Sequence, residues 1–112
     1  MKPIHWLGSS RADLKAFPMD ARRVAGFQLR LVQLGSDPND WKALRIVGPG
    51  VREIRVHTGL EHRVIYVATF GEGVYVVHAF AKKTAKTALR DIRLARARFE
   101  TLLAEKRGSH AP

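Results

Sequence analysis

The sequence has no cysteine, which excludes disulfide bridges and thiolate metal sites and suits a reducing compartment. It also lacks an apolar run of membrane-spanning length, and the apolar stretch before Gly8 is too short for the core of a signal peptide. We therefore expect a cytoplasmic protein with no membrane partner. A length of 112 residues predicts one domain over residues 1–107 and a flexible tail at residues 108–112.

Motifs that bind metals or phosphates are missing as well. The five histidines show no paired spacing of the kind that metal sites use, and carboxylates are sparse near them. No glycine-rich loop runs into a lysine and a helix, so a P-loop is absent. Ser9 and Ser10 have no accompanying base and acid, which makes them helix caps rather than nucleophiles. We expect no metal and no cofactor.

Acidic residues are scarce compared with basic ones. Ten Asp and Glu stand against twenty Lys and Arg, which gives a formal net charge of +10. Much of this excess lies in the last quarter of the chain, from Lys82 to Arg107. Such a charge creates a field that attracts polyanions or an acidic protein. The composition therefore favours nucleic acid or an acidic protein as partner over a small neutral ligand.

Helical patterns follow a short first strand at residues 2–7. Ser10 stands three residues before Asp13, which predicts a helix cap there and a helix over residues 11–17. A second helix opens at Pro18 and ends at Gly35, and we expect the two helices to pack as a hairpin. Its buried stripe is predicted from spacings of three, four and three, at Val24, Phe27, Leu31 and Leu34.

The rest of the chain predicts strands and a final helix. Three or four antiparallel strands are expected. Three lie near residues 51–58, 62–70 and 74–81, residues 41–46 are the candidate for a brief fourth, and glycine-containing turns separate them. A helix begins near Thr87, with a buried stripe of Leu89, Ile92, Ala95, Phe99 and Leu102. The expected fold class is α+β, with helices covering one face of a curved antiparallel sheet.

The strand at residues 74–81 is apolar on both faces, which predicts an interior strand that is covered on both sides. By strict alternation, Val74, Val76, His78 and Phe80 share one face of this strand. Three lysines follow where the strand ends, namely Lys82, Lys83 and Lys86.

A candidate site forms where these strands meet. Arg55 and Arg63 are predicted to lie near each other across a hairpin, and His78, Phe80 and Lys82 come from the next strand. Metal-free RNA cleavage needs two proton-transfer groups and cations that stabilise charge on phosphate. Histidine titrates near neutral pH, arginine binds phosphate through a fork of donors, and an exposed aromatic ring can stack on an unpaired base.

The residues alone leave a plainer alternative open. His78 and Phe80 could belong to the core, and the arginines could form salt bridges with Glu53 or Glu61. On that interpretation, the chain is a basic α+β domain that binds nucleic acid or an acidic partner.

Several segments together resemble a known family. They are similar to the HigB-like, phage-derived branch of the RelE/ParE toxin superfamily, and the segments are WKAL, GPGVREIRV, HRVIYV, VVHAFAKKTAKT and DIRLARARFE. The resemblance runs from about Leu14 to Leu103, and its most specific part is HAFAKKTAKT with the helix that follows. Ala88 departs from the proline that relatives commonly carry there, and it touches no group with a proposed catalytic role.

The resemblance implies a RelE-like fold and the toxin of a type II toxin–antitoxin system. Relatives enter the ribosomal A site and cut mRNA without a metal. A cognate helix-turn-helix antitoxin neutralises them, and they contact DNA only through that antitoxin. The basic C-terminal helix would dock on rRNA or carry part of the antitoxin interface.

The resemblance and the strand pattern together give the residues of the site, and the resemblance itself bears on Arg55, Arg63, His78, Lys82 and Lys83. Catalysis is assigned to Arg55, Arg63, His78 and Lys82, and RNA contacts to Lys42, Phe80, Lys83, Lys86 and Arg90. A ParE-like inhibitor of DNA gyrase is the main alternative function, and a non-catalytic RNA-binding or phage-associated module is the third.

Overall fold

The computed structural model describes residues 1–108. The elements follow the predicted order of strand, two helices, four strands and a final helix. Their bounds are β1 Ile4–Trp6, α1 Ser10–Lys15, α2 Met19–Gln33, β2 Trp41–Ala43, β3 Val51–His57, β4 Glu61–Val67, β5 Val74–Ala81 and α3 Leu89–Gly108. Of the predicted tail, Gly108 is the last residue of α3, and residues 109–112 lie outside the described residues.

All five strands belong to one sheet, in the order β1-β5-β4-β3-β2. Strands β2 to β5 pair antiparallel, whereas β1 pairs parallel with β5, a pairing that the sequence pattern does not predict. The helices α1 and α2 carry the chain from β1 at one edge to β2 at the other. The α+β class, with a curved antiparallel-rich sheet and a C-terminal helix, is confirmed and is compatible with a RelE-like fold.

Helices cover both faces of the sheet, so the predicted one-face arrangement is wrong. Leu14 of α1 and Leu29 of α2 share a buried cluster with Ile54 on one face. On the other face, Phe99 of α3 shares a second cluster with Ile65. A strand that is covered on both faces must be apolar on both. The prediction that β5 is an interior strand of this kind is confirmed.

The helix α2 buries a different stripe from the predicted one. Phe27 and Leu34 are 56% and 58% exposed, so their side of the helix faces away from the core, whereas Val24 of the predicted stripe packs against the buried cluster. Both stripes fit the helical period, and the alanines of the buried one let α2 approach the sheet closely. The residues that α2 buries are Ala21, Ala25, Gln28, Leu29 and Val32.

A bulge in β5 changes which of its residues share a face. The pairing with β4 skips Val77, which is therefore an extra residue in β5. Val76 packs towards α1 and α2, whereas Val77 and Phe80 pack beneath α3. His78 also faces α3, because its ring bonds to Asp91 of that helix. The predicted grouping of His78 and Phe80 with Val76 is therefore wrong.

The first helix begins one residue earlier than predicted, so Ser9 rather than Ser10 occupies the cap position. The hydroxyl of Ser9 donates to Asp13 Oδ2 at 2.7 Å. Ser10 is fully buried and donates to the carbonyl oxygen of Val76 at 3.1 Å. Ser10 therefore ties α1 to β5 instead of capping the helix.

The C-terminal helix α3 lies on the sheet through Ala95, Phe99 and Leu102, as its period predicts, while Leu89 is exposed. Gly48 lies directly beneath Phe99, and a Cβ atom at position 48 would collide with the ring. The close approach of this turn to α3 therefore requires glycine. None of the helices in residues 1–108 is long and apolar enough to cross a membrane.

Candidate functional site

Arg55 and Arg63 are direct partners in the β3–β4 pair, as the hairpin predicts. The side chain of Arg63 is only 6% exposed, and its Nη1 donates to Glu61 Oε1 at 2.9 Å. Arg55 is about one-third exposed and lies 3.8 Å from Asp40. Like charges directly opposite each other in a sheet repel. The neighbouring carboxylates therefore stabilise this pair of arginines.

Glu53 is a charged residue that is completely buried. Its Oε1 lies 3.7 Å from Lys42 Nζ and 3.8 Å from Arg63 Nε. Its Oε2 accepts a hydrogen bond from the Thr87 hydroxyl at 3.1 Å. A carboxylate without access to water is stable only when cations and donors surround it. Glu53 is thus the fixed negative charge of this part of the sheet, and it ties the segment before α3 to β3.

Lys82 joins this group where β5 ends. Its backbone N–H donates to the carbonyl oxygen of Glu61 at 2.8 Å, which fixes the strand exit beside β4. Burial lowers the pKa of the Lys82 ammonium, the charge of Arg63 lowers it further, and Glu53 opposes both effects. We call Lys42, Arg55, Arg63 and Lys82 the cationic cluster. Lys42 and Arg63 lie beside Glu53, Arg55 lies beside Asp40, and the charges of the other three cations all act on Lys82. Four of the residues that the sequence points to are thereby brought together.

Three further predicted residues form an exposed rim next to the cluster. Lys83 and Lys86 lie on the segment between β5 and α3, and Arg90 lies in the first turn of α3. A small cleft of about 70 Å³ separates β5 from α3, and Lys82, Lys83 and Arg90 contribute to its walls. Because these rim cations have no carboxylate partner within residues 1–108, their charge is available to an external anion.

His57 lies between two carboxylates at the end of β3. Its Nε2 is 2.6 Å from Asp40 Oδ2, and its Nδ1 is 2.7 Å from Glu61 Oε2. The hydrogen bond with Glu61, followed by that with Asp40, raises the pKa of the His57 imidazole. His57 in turn lowers the pKa of Glu61, with a smaller contribution from Arg63. The expectation that carboxylates are sparse near the histidines is therefore wrong for this residue.

His78 and Phe80 do not reach the surface that the strand pattern predicts. The ring of His78 is 6% exposed and binds Asp91 Oδ1 through Nε2 at 2.8 Å. It stacks on Phe80 with ring centroids 4.8 Å apart, and Phe80 is itself part of the core beneath α3. The bulge at Val77 turns both side chains towards α3. The expectation that Phe80 is an exposed aromatic ring is therefore wrong. Phe80 belongs to the core, as the plainer alternative predicts.

The sequence pattern does not mark two residues of the site as functional candidates. It indicates Glu53 only as a salt-bridge partner, because a glutamate among polar positions gives no sign that its strand face will be covered. His57 lies on the same strand face, and only the fold brings Asp40 to it from before β2. No group of histidines and carboxylates within residues 1–108 has an arrangement that could hold a metal ion.

Comparison with known proteins gives one family match. The model of the family described as phage-derived protein Gp49-like (DUF891) matches residues 12–100, which include α2, the whole β2–β5 region and α3 as far as Glu100. No curated protein matches the chain. The matched range contains every residue of the cationic cluster and its rim. The chain therefore belongs to the phage-derived Gp49-like family, a family of RelE/HigB-type toxins.

Proposed function

We propose that this protein is the toxin of a type II toxin–antitoxin pair and acts as a metal-independent endoribonuclease on ribosome-bound mRNA. The observation that carries the proposal is the cationic cluster, to which β2, β3, β4 and the exit of β5 each contribute one cation, with the buried carboxylate of Glu53 beside two of them. Concentrated positive charge on a rigid sheet is what a phosphate-centred reaction requires. Membership of a toxin family also supports a toxin function.

The exposed members of the cluster would bind the scissile phosphate. Lys42 and Arg55 keep 42% and 37% of their side chains exposed, and both lie more than 3.5 Å from their carboxylate neighbours. A phosphate can therefore replace these loose contacts with charge-assisted hydrogen bonds. Arg63 is more tightly held by Glu61, so its role is to strengthen the positive field beneath the phosphate.

The reaction needs one group that accepts a proton and one that donates it. The 2′-hydroxyl oxygen attacks phosphorus, the bond from phosphorus to the 5′ oxygen breaks, and a 2′,3′-cyclic phosphate and a 5′-hydroxyl form. Lys82 is assigned as the base, because the strand exit holds it beside β4 among the other cations, and burial and the charge of Arg63 lower its pKa and so raise the share of neutral amine that can take the 2′ proton. His57 is assigned as the acid, because its raised pKa favours the protonated ring that can give a proton to the 5′ oxygen.

This assignment changes the role of His78. Its ring is buried and donates to Asp91, so in this proposal it holds the start of α3 against β5 and transfers no proton to RNA. Phe80 likewise supports the ring of His78 rather than a base. The rim residues Lys83, Lys86 and Arg90 would contact the phosphates of mRNA or rRNA, with an affinity that falls as salt rises.

A cognate helix-turn-helix antitoxin is the proposed protein partner, and contact with DNA would occur only through it. A non-catalytic RNA-binding module is the second candidate function. It is favoured by the burial of His78 and by the ion pair between Arg63 and Glu61, which leave fewer groups free for chemistry.

Induced expression followed by mapping of mRNA 5′ ends tests the proposal. The parent protein should halt growth and produce new 5′ ends within translated codons, and Lys82→Met should abolish both effects. Arg45→Ala, which removes an exposed arginine outside the cluster, is the matched control and should cleave like the parent. Intact mRNA with failed supercoiling would favour a gyrase inhibitor. Growth arrest with intact mRNA and normal supercoiling would favour the binding module.

A further inference from the structure

The helix α2 has a second apolar stripe that the protein itself leaves uncovered. Phe27 and Leu34 are more than half exposed, and Leu31 between them is partly exposed. At about 100° per residue, this stripe and the buried one are centred roughly 140° apart around the helix. We call Phe27, Leu31 and Leu34 the outer stripe. A helix with two apolar sides needs a neighbour on each, and the sheet supplies only one of them.

The apolar surface continues beyond the end of the helix. Leu34 and the exposed Met1 line one shallow depression of about 410 Å³, whose lining also includes Gln33 and the charged residues Lys2 and Glu72. Isolated exposed apolar residues are ordinary, but a continuous row with a polar border marks a contact surface. The outer stripe with Met1 is such a row.

Charge along the outer stripe indicates the chemistry of the partner. Arg23 and Arg30 border it on one side, both are exposed, and neither has an ion-pair partner within residues 1–108. They lie seven residues apart, which is two helical turns. The only acid of α2 is Asp20, whose carboxylate accepts the N–H of Ala21 in the first turn. This side of the outer stripe is therefore basic over most of the helix.

We propose that the outer stripe docks an amphipathic helix of a partner protein. Its apolar side chains would cover Phe27, Leu31 and Leu34, and carboxylates two turns apart would pair with Arg23 and Arg30. A second copy of this chain fits poorly, because each copy would bring the same basic border and a net charge of +10 to the interface. RNA fits poorly as well, because two leucines offer its bases no stacking surface.

The docking surface and the cationic cluster lie on opposite sides of the sheet. The outer stripe belongs to α2, which packs on the face of Ile54 and Val56, whereas Glu53 and Arg55 point to the face that carries α3. The proposal therefore does not rest on nuclease activity, and a binding measurement tests it separately.

Two synthetic helical probes test the docking surface on the full chain. Both are stapled helices of about 18 residues with leucines at spacings of three and four. One carries glutamates two turns apart beside the leucines, and the other carries lysines there. Fluorescence anisotropy should show saturable binding of the glutamate probe and at least about tenfold weaker binding of the lysine probe.

Variants locate the binding. Phe27→Ser combined with Leu34→Ser should weaken binding of the glutamate probe about tenfold or more, and Arg23→Glu combined with Arg30→Glu should reverse the preference. Arg93→Glu combined with Arg96→Glu makes the same charge change on exposed positions of α3 and should preserve the preference. Leu60→Ser, at a 66% exposed leucine of the β3–β4 turn, should also leave binding unchanged.

Three outcomes would overturn the proposal. The first is equal binding of both probes. The second is a change in binding in the Arg93→Glu and Arg96→Glu variant that is as large as in the Arg23→Glu and Arg30→Glu variant. The third is a dimer of the chain alone that Phe27→Ser dissociates, because a second copy would then be the occupant. Urea unfolding of each variant shows that the folded protein is being measured.

Discussion

Glu53 Oε1 lies 3.8 Å from Arg63 Nε in a position without access to water, while Oε2 accepts the hydroxyl of Thr87. One buried carboxylate thus connects β4, the segment before α3 and, through Lys42, the edge strand β2. In a basic chain, this negative charge lets several cations occupy one small region of a rigid sheet. The protein obtains a stable cationic surface at the cost of one buried acid.

Glu53→Gln should destabilise the protein strongly, by roughly 3 kcal/mol, because it leaves buried Arg63 with a weaker set of partners. The amide keeps the shape of the side chain and can still accept from Thr87, so the effect reports the lost charge. Urea unfolding measures it. Asp37→Asn breaks an exposed ion pair with Arg52 and should cost less than about 1 kcal/mol. Equal losses in the two variants would refute the role given to Glu53.

His57 should make stability depend on pH in a defined direction. Its pKa is raised in the folded protein above the ordinary value of 6.5, with Glu61 and Asp40 as the charged groups that face it. Its stabilisation is therefore complete below about pH 6.5 and is lost as pH rises through the higher folded pKa. His62 has a lowered pKa and acts in the opposite sense, losing stability as pH falls.

The difference in stability between the parent and His57→Gln isolates the contribution of His57 from that of His62. Thermal unfolding between about pH 5 and pH 9 should show the two proteins converging as pH rises. Because His57 and both carboxylates are exposed, the effect will be modest and will shrink in high salt. A difference that is constant with pH would show that the pKa of His57 is the same in the folded and unfolded states.

Gly48→Ala should destabilise the contact between α3 and the sheet. A Cβ atom at this position meets the ring of Phe99, which is itself buried, so the ring must move. We expect a loss of about 1–3 kcal/mol in urea unfolding. Gly71→Ala is the control, because a Cβ atom there meets nothing within 4 Å. A change below about 0.5 kcal/mol at position 48 would mean that α3 does not pack as described.

The two stripes of α2 should differ in their sensitivity to substitution. Ala25→Leu adds three carbon atoms between α2 and the sheet and should cost about 1–3 kcal/mol, since Ala25 is completely buried. Phe27→Gln removes an exposed ring and should change stability by less than about 0.5 kcal/mol. A larger loss of stability in Phe27→Gln than in Ala25→Leu would mean that α2 buries the stripe containing Phe27, as the apolar spacing predicts.

Sequence patterns predict the buried face of a helix or strand only where one face is clearly apolar and the strand has no bulge. The spacing of Phe99 and Leu102 predicts the face of α3 because that helix has one clearly apolar stripe. The helix α2 has two, and the period alone cannot say which of them the sheet covers. In β5, a single extra residue at Val77 reverses the faces of His78 and Phe80, and no local signal marks the bulge.

The site was predictable where strand register alone decides it. Arg55 and Arg63 are neighbours because a hairpin fixes their pairing, and Lys82 follows from the same sheet order. The burial of Glu53 depends instead on the segment that folds over it from Thr87, far along the chain. The partnership of His57 with Asp40 depends on where β2 joins the sheet. Both require the tertiary structure.

The chemistry of the cleaved RNA ends tests the central claim most directly. A ribosome programmed with a defined mRNA should be mixed with the purified protein, with free mRNA in parallel. We predict cleavage only on the ribosome, with a 2′,3′-cyclic phosphate and a 5′-hydroxyl at the new ends, and no cleavage by Lys82→Met. Intact ribosome-bound mRNA, or ends that carry a 5′-phosphate and a 3′-hydroxyl, would contradict the proposed reaction.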